Sequence, residues 1–218
     1  MIEAERIFAA RQELAEALAR NVADELVHAI EAKGKATLAV SGGTTPGLFL
    51  EKLSNIDLPW HRVTITVVDE RKVPETSERS NARLVREVLL RNKAAAAHFM
   101  PLRGDSGSDT AVPFDVTVLG MGNDGHTASF FPGGDRLCEA LDAESGKRIV
   151  EIVAPGAGEP RLTFTFPVIE SSGRLYLHIE GAEKKKILKE ALDDGPVEDM
   201  PIRAVLRSAT PVTLYWCP

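Results

Sequence analysis

The sequence predicts a Rossmann-like α/β fold, a mainly parallel sheet flanked by helices, and three observations carry that prediction. Short apolar runs of strand length alternate with stretches whose apolar residues recur at helical spacing. Several of these runs end in glycine, hydroxyl or charged residues, as strands do at the carboxyl edge of a parallel sheet. With 218 residues, 44% of them hydrophobic, the chain can fill one sizeable core, and 1–218 is read as a single domain.

Residues from about 5 to 32 are expected to form one long amphipathic helix, because Ile7, Leu14, Leu18, Val22, Leu26 and Ile30 share a face; Gly34 stops it. A strand over 36–40 runs into Ser41-Gly42-Gly43-Thr44-Thr45-Pro46. Thr44 or Thr45 is expected to cap the next helix, with Pro46 in its first position and Leu48, Phe49, Leu50 and Leu53 on its apolar face. The β-branched run 62–68 is a further strand and ends in Asp69-Glu70-Arg71. Residues 81–92 read as a helix capped by Ser80, 98–102 as an edge strand, and 104–110 as a surface loop. The apolar run from Phe114 to Val118 is a buried strand, with 116–119 in the core, and leads into a turn dense in glycine. A short helix over 135–143 and a strand over 147–153 follow. The glycine and proline loop 154–160 leads to a strand over 161–166, after which Pro167 opens a brief helix. The chain closes with a strand over 174–180, a helix opened by 181–184, a helix near 202–206 and a strand over 212–216.

The net charge of −6 argues against nucleic acid as a partner, although local basic clusters can still hold a small anion. Cys138 and Cys217 match no metal spacing and are too few for a disulfide scaffold, so free thiols in a reducing compartment are expected. The first residues lack a basic-then-apolar leader, and no apolar run approaches membrane-spanning length. The expectation is a cytoplasmic protein with no membrane partner, acting as a monomer or small homo-oligomer.

Four loops follow strand candidates and can meet at one sheet edge: 41–45, 69–71, 122–126 and 181–184. In the first, Ser41, Gly42, Gly43, Thr44 and Thr45 offer amides and hydroxyls at a helix start, where phosphate is held well; the bland alternative is a tight turn with no ligand. Arg71 and Lys184 supply countercharge, although a lysine in a helix's first turn can equally face solvent. Asp69, Asp124 and His126 remain for chemistry. Histidine is the natural general base near neutral pH, and a carboxylate partner fixes its tautomer. The alternatives are that Asp69 and Glu70 cap a helix or pair with Arg71, and that Asp124 and His126 merely stabilise a turn. His28, His61, His98 and His178 lie outside these clusters and are read as ordinary surface or core residues.

With these motifs in place, the chain resembles the 6-phosphogluconolactonase family, within the glucosamine/galactosamine-6-phosphate isomerase superfamily. The resemblance runs from the first helix to the last strand. It is carried by the 41–46 loop, by Asp69-Glu70-Arg71 with Ser80-Asn81 downstream, by Gly120 to Pro132, by Arg161-Leu162-Thr163 and by Gly181 to Lys184. Thr44 stands where Ser is commoner and Phe130 where Leu is usual. The resemblance implies hydrolysis of 6-phospho-D-glucono-1,5-lactone to 6-phospho-D-gluconate, in the oxidative pentose phosphate pathway, with no metal and no other cofactor. His126 would activate water, and Arg71 and Lys184 would grip the 6-phosphate with the 41–45 loop. Asp69 and Asp124 would orient water, substrate or His126, with Arg161 as a further anion-site candidate.

Two other readings are weighed. Glucosamine-6-phosphate deaminase looks like a relative with a similar aspartate and a similar Gly-x-Asp-Gly-His turn. Its pattern has tyrosine after Asp-Glu and a glutamate where Phe131 stands, and phenylalanine supplies no acid or base. A non-catalytic sugar-phosphate sensor would show a degraded His-Asp turn or an added interaction domain, and the sequence has neither.

Overall fold

The computed structural model describes residues 2–104 and 112–218. The loop expected at 104–110 therefore lies, beyond Gly104, outside the described residues. The first strand, β1 (Ile2–Ile7), corrects the expectation of a helix beginning near residue 5: the helix α1 spans Arg11–Lys33. Ile7 shares the helical spacing by coincidence and is 60% exposed on an edge strand. Glu3, Glu5 and Arg6 lie beside it, and such charge hides an edge strand from an apolar pattern. From Leu14 onward the predicted face is the buried one, and α1 ends at Gly34 in the left-handed conformation, φ 78°. Each fully buried leucine on that face contributes about 2 kcal/mol.

The strands β2 (Ala36–Val40), β3 (Val63–Val67), β5 (His98–Phe99), β6 (Val116–Leu119), β9 (Arg174–Glu180) and β10 (Val212–Cys217) join β1 in a seven-stranded sheet. Its order is β1-β10-β9-β6-β2-β3-β5 and every pairing is parallel. The order reverses between β2 and β6: from β2 the chain proceeds outward to β3 and β5, and from β6 the other way to β9 and β10. A crevice opens at the carboxyl ends of strands on either side of such a reversal. Here it is stitched shut below by Ser41 N–H donating to Val118 C=O and Gly120 N–H donating to Ser41 Oγ, at 2.9 and 3.1 Å.

Three further strands leave this sheet. β4 (Asp69–Arg71), β8 (Arg161–Phe164) and β7 (Ile149–Ile152) form a separate antiparallel sheet in the order β4-β8-β7. The run 62–68 is thus followed by a second short strand rather than by a loop. This sheet sets Arg71 directly opposite Arg161 and Asp69 opposite Thr163.

The helix α2 (Gly47–Ser54) has Pro46 at its N-cap, already in helical geometry at φ −75° and ψ −9°, and no side chain caps it. The threonine cap expected at 44 or 45 is not made, because a side-chain cap needs an extended residue at that position. Ser80 does cap α3 (Asn81–Leu84), accepting from Arg83 N–H. The segment predicted as one helix to 92 continues as a π-helical turn, Val85–Leu89, and ends there. The short helices α4 (Leu137–Leu141), α5 (Phe166–Glu170) and α7 (Ile202–Leu206) fall where expected, as does α6 (Ala182–Leu192) after Gly181. Among the described residues, no helix is long and apolar enough to cross a membrane.

Candidate active site

A cavity of about 210 Å³ opens at the β2/β6 reversal. Ser41, Gly42, Gly43, Thr44, Thr45, Asp69, Arg71, His126, Arg161 and Lys184 all line it. Of the residues expected from sequence to be catalytic or substrate-binding, only Asp124 is missing from the wall. It stands behind His126 instead, its Oδ1 2.5 Å from the ring's Nδ1.

The turn after β6 builds that pair from local chemistry. Gly125 is left-handed, φ 77°, and Gly122 N–H donates to His126 C=O at 2.9 Å, folding the turn back on itself. A Cβ on Gly122 would come within 2.2 Å of the His126 ring, so the imidazole can lie across the backbone only because that residue is glycine. Partial burial pushes the Asp124 carboxyl up, but the hydrogen bond and charge of His126 outweigh it and hold the group below its ordinary range. An ionised carboxylate only accepts, so the Asp124 contact assigns the proton to Nδ1 and leaves Nε2 with a lone pair.

Phe131 organises the other side of the ring. It is buried, stacks on His126 with centroids 4.1 Å apart and planes at 28°, and carries the Arg161 guanidinium 5.3 Å from its own centroid. Arg161 is 7% exposed, donates to Ala157 C=O at 2.7 Å and lies 3.8 Å from Asp69. Burial pulls its pKa down, the Asp69 charge works against that, and Arg71 across the strand pair adds to the fall. Like charges at directly opposed positions on an antiparallel rung are unfavourable, a cost that an anion held by both would relieve.

Arg71, at the end of β4, is tied to the glycine loop through Asn81. One Arg71 Nη donates to Arg79 C=O at 2.6 Å and to Asn81 Oδ1 at 3.0 Å, and Asn81 packs so closely on Gly42 that a Cβ there would meet Oδ1 at 1.9 Å. The amide of Asn81 donates to Asp69 C=O at 2.8 Å, while Ser129 Oγ–H donates to Asp69 Oδ2 at 2.5 Å. Glu70 faces away. Its carboxylate accepts from the Asn81 and Ala82 N–H groups and from Ser80 Oγ, so the helix-capping alternative holds for Glu70 while Asp69 faces the cavity.

Lys184 is the third residue of α6 and half-buried at the cavity wall. Burial pushes its pKa down, against the charges of Glu180 and Glu183. His178 corrects the sequence reading. His28, His61 and His98 are exposed, but His178 is buried on β9 and forms part of the cavity wall. Asn81 and Ser129, each inside a motif that carries the resemblance, are the other site residues to which the sequence assigned no role. Ser129 lies inside the glycine-rich motif and could have been raised by it, whereas nothing local marks His178.

A family model described as glucosamine-6-phosphate isomerases/6-phosphogluconolactonase matches residues 9–216. The chain is 50% identical to a 6-phosphogluconolactonase of Rhizobium meliloti, with 97% of each chain covered. It is 40% identical to one of Pseudomonas putida, covering 94% of this chain and 89% of the relative. The crystal structure of a 6-phosphogluconolactonase from Shewanella baltica superposes with a TM-score of 0.95 at 39% identity, covering 100% of both chains. The chain belongs to the glucosamine-6-phosphate isomerase/6-phosphogluconolactonase family.

Proposed function

We propose that the chain is a 6-phosphogluconolactonase that hydrolyses 6-phospho-D-glucono-1,5-lactone to 6-phospho-D-gluconate, with His126 as the general base. The observation that carries this reading is the Asp124–His126 pair facing a cavity whose other walls hold Arg71, Arg161, Lys184 and the 41–45 loop. Water attacks the lactone carbonyl carbon and gives its proton to His126 Nε2. The tetrahedral oxyanion then collapses, the ring C–O bond breaks, and the departing hydroxyl takes the proton back from the imidazolium. A general base of this kind supplies about 10²–10⁴-fold. A lactone is already activated, so positioning and charge supply the rest.

Within this reading the two arginines divide the substrate. Arg71, tied through Asn81 to Gly42, joins the 41–45 loop and Lys184 on the phosphate. Arg161 rests against the same Phe131 that carries His126, which suits it to the oxyanion and to the carboxylate of the product. Asp69 holds Arg161 and accepts from a sugar hydroxyl. The whole chain acts as one catalytic domain, as a monomer or small homo-oligomer in the cytoplasm, within the oxidative branch of the pentose phosphate pathway. The scheme uses no metal or cofactor and no nucleic-acid or membrane partner.

The deaminase reading is disfavoured by Phe131, buried against His126 where the relative's pattern has an ionisable glutamate. The sensor reading is disfavoured by the intact His-Asp pair. The test is hydrolysis of freshly prepared lactone coupled to 6-phosphogluconate dehydrogenase, with and without chelator. Turnover above the spontaneous rate, unchanged by chelator and lost in His126→Ala, is expected. Full activity in His126→Ala would sink the mechanism. Ammonia release from glucosamine-6-phosphate would favour the deaminase, and activity restored to chelated enzyme only by a divalent ion would overturn the metal-free scheme.

A further inference from the structure

The peptide unit between Gly125 and His126 is held at both ends. Its N–H donates to Asp124 Oδ1 at 3.1 Å, the same oxygen that meets the ring's Nδ1, and its C=O accepts from Ile202 N–H at 2.8 Å. A peptide unit is planar and rigid, so fixing the carbonyl fixes the direction of the N–H. Ile202 is the first residue of α7, where an N–H has no partner inside its own helix. Met200 packs beside it, and a Cβ on Gly125 would lie 3.0 Å from Met200 Cβ. The next residue, Arg203, anchors that helix start. It is 7% exposed and does not line the cavity. Its guanidinium spreads over three backbone carbonyls, Nε donating to Ala191 C=O at 3.3 Å, Nη1 to Pro196 C=O at 3.0 Å and Nη2 to Glu190 C=O at 3.2 Å. Glu190 and Ala191 lie in the last turn of α6, whose carbonyls lack helical partners and form the negative end of the helix dipole. A Cβ on Gly195 would come within 2.4 Å of Nη1, so the loop after α6 closes over the guanidinium only because that residue is glycine.

We infer that Arg203 is a positioning residue for the general base: by clamping α7 to the end of α6, it holds Ile202 N–H on Gly125 C=O and so keeps the Asp124–His126 pair aimed at the cavity. The inference rests on the lactonase reading, and Arg203 itself touches no substrate. Arginine suits the task because its planar fork fixes the directions of its donors, which a lysine ammonium does not. Lys184 stands in the first turn of the same α6, so one helix carries a cation of the site at its start and, through Arg203, α7 and Gly125, steadies the base from its end.

Kinetics and spectroscopy test it together. Arg203→Lys keeps the charge and loses the fork. Its kcat should fall about tenfold with KM for the lactone within about twofold, since misplacing a reacting group by about 1 Å costs about 100-fold and a loosened turn costs part of that. Replacing Ile202 by its α-hydroxy acid analogue keeps the side chain, deletes only the N–H, and should lower kcat in the same way. Arg207 also holds the loop after α6, donating to Gly195 C=O at 2.9 Å, but from the far end of α7, so Arg207→Lys should leave kcat unchanged. In protein labelled with ¹⁵N-histidine, the Nδ1–H proton of His126 should be visible in wild type and lost to exchange with water in the Arg203 and Ile202 variants, a signature that a merely structural role would not produce. Unchanged kcat in both variants, an equal fall in Arg207→Lys, or lowered stability with kcat and the Nδ1–H signal intact would overturn the proposal. Should Arg203→Lys not fold, the Ile202 replacement decides the matter. Loss of the Nδ1–H signal in variants of a protein without lactonase turnover would refute the proposed reaction and leave the positioning role standing; turnover equal in wild type and variants would do the reverse.

Discussion

Asp124 sits on a largely exposed turn and its carboxylate serves one side chain, the His126 ring at 2.5 Å, whereas Asp69 is 5% exposed and ringed by Ser129, Asn81 and Arg161. Both follow strands and both stand beside glycine-rich elements, so they look alike in sequence. The difference lies in what each carboxylate is attached to. Asp124 sets the tautomer of the His126 ring, while Asp69 joins β4, the turn after β6, and β8 into one charged wall. Removing the first should disturb chemistry alone; removing the second should disturb chemistry and folding together.

The comparison is sharpest at the base itself. His126→Ala should lower kcat by about 10³-fold with little change in KM, as expected for a group acting only in the reaction step, measured in the coupled assay. A KM effect alone would place His126 in binding. Asp69→Asn is next: it leaves the buried Arg161 without its carboxylate, and breaking such a pair costs about 3 kcal/mol. Activity should fall about 100-fold and chemical denaturation should show the loss of stability; an unaltered denaturation midpoint would refute the hub role. Asp124→Asn should lower kcat about tenfold, by loosening the ring's tautomer and orientation, with stability within about 0.5 kcal/mol. If it destabilised the fold as much as Asp69→Asn, the contrast between the two aspartates would collapse.

The smallest effect is on acid stability. The folded Asp124 carboxyl titrates below its ordinary value of 3.8, so its contribution is present above that value and is lost as pH falls through the lower folded one. The small advantage of wild type over Asp124→Asn in thermal unfolding should therefore shrink from about pH 5 to about pH 2. An advantage that grew on acidification would contradict the assigned direction.

The loops of the site were readable because each is a local event. A buried strand, a glycine turn and a helix start together announce 41–46, and Gly122 to His126 carries its own hydrogen bonds within five residues. β1 was unreadable for the opposite reason: an exposed edge strand has no apolar face to betray it, and Ile7 happens to continue the spacing of α1. The second sheet was hidden because β4 is three residues long and its partner lies about ninety residues on, at Arg161 to Thr163. Thr44 and Thr45 were misassigned as caps because composition cannot tell that Pro46 already holds helical geometry, which leaves both residues at the cavity.

By itself the sequence determined the parallel α/β architecture, the four loops that converge and the chemistry each could offer, since propensity, periodicity and turn chemistry act over a few residues. Only the tertiary structure decided which side chains share a wall. It set Asp124 behind His126 and Asp69 in front, stacked Phe131 between His126 and Arg161, and turned His178 from a core residue into part of the cavity. Those outcomes depend on strand order and on the rung that opposes Arg71 to Arg161, contacts between residues far apart in the chain that no local pattern encodes.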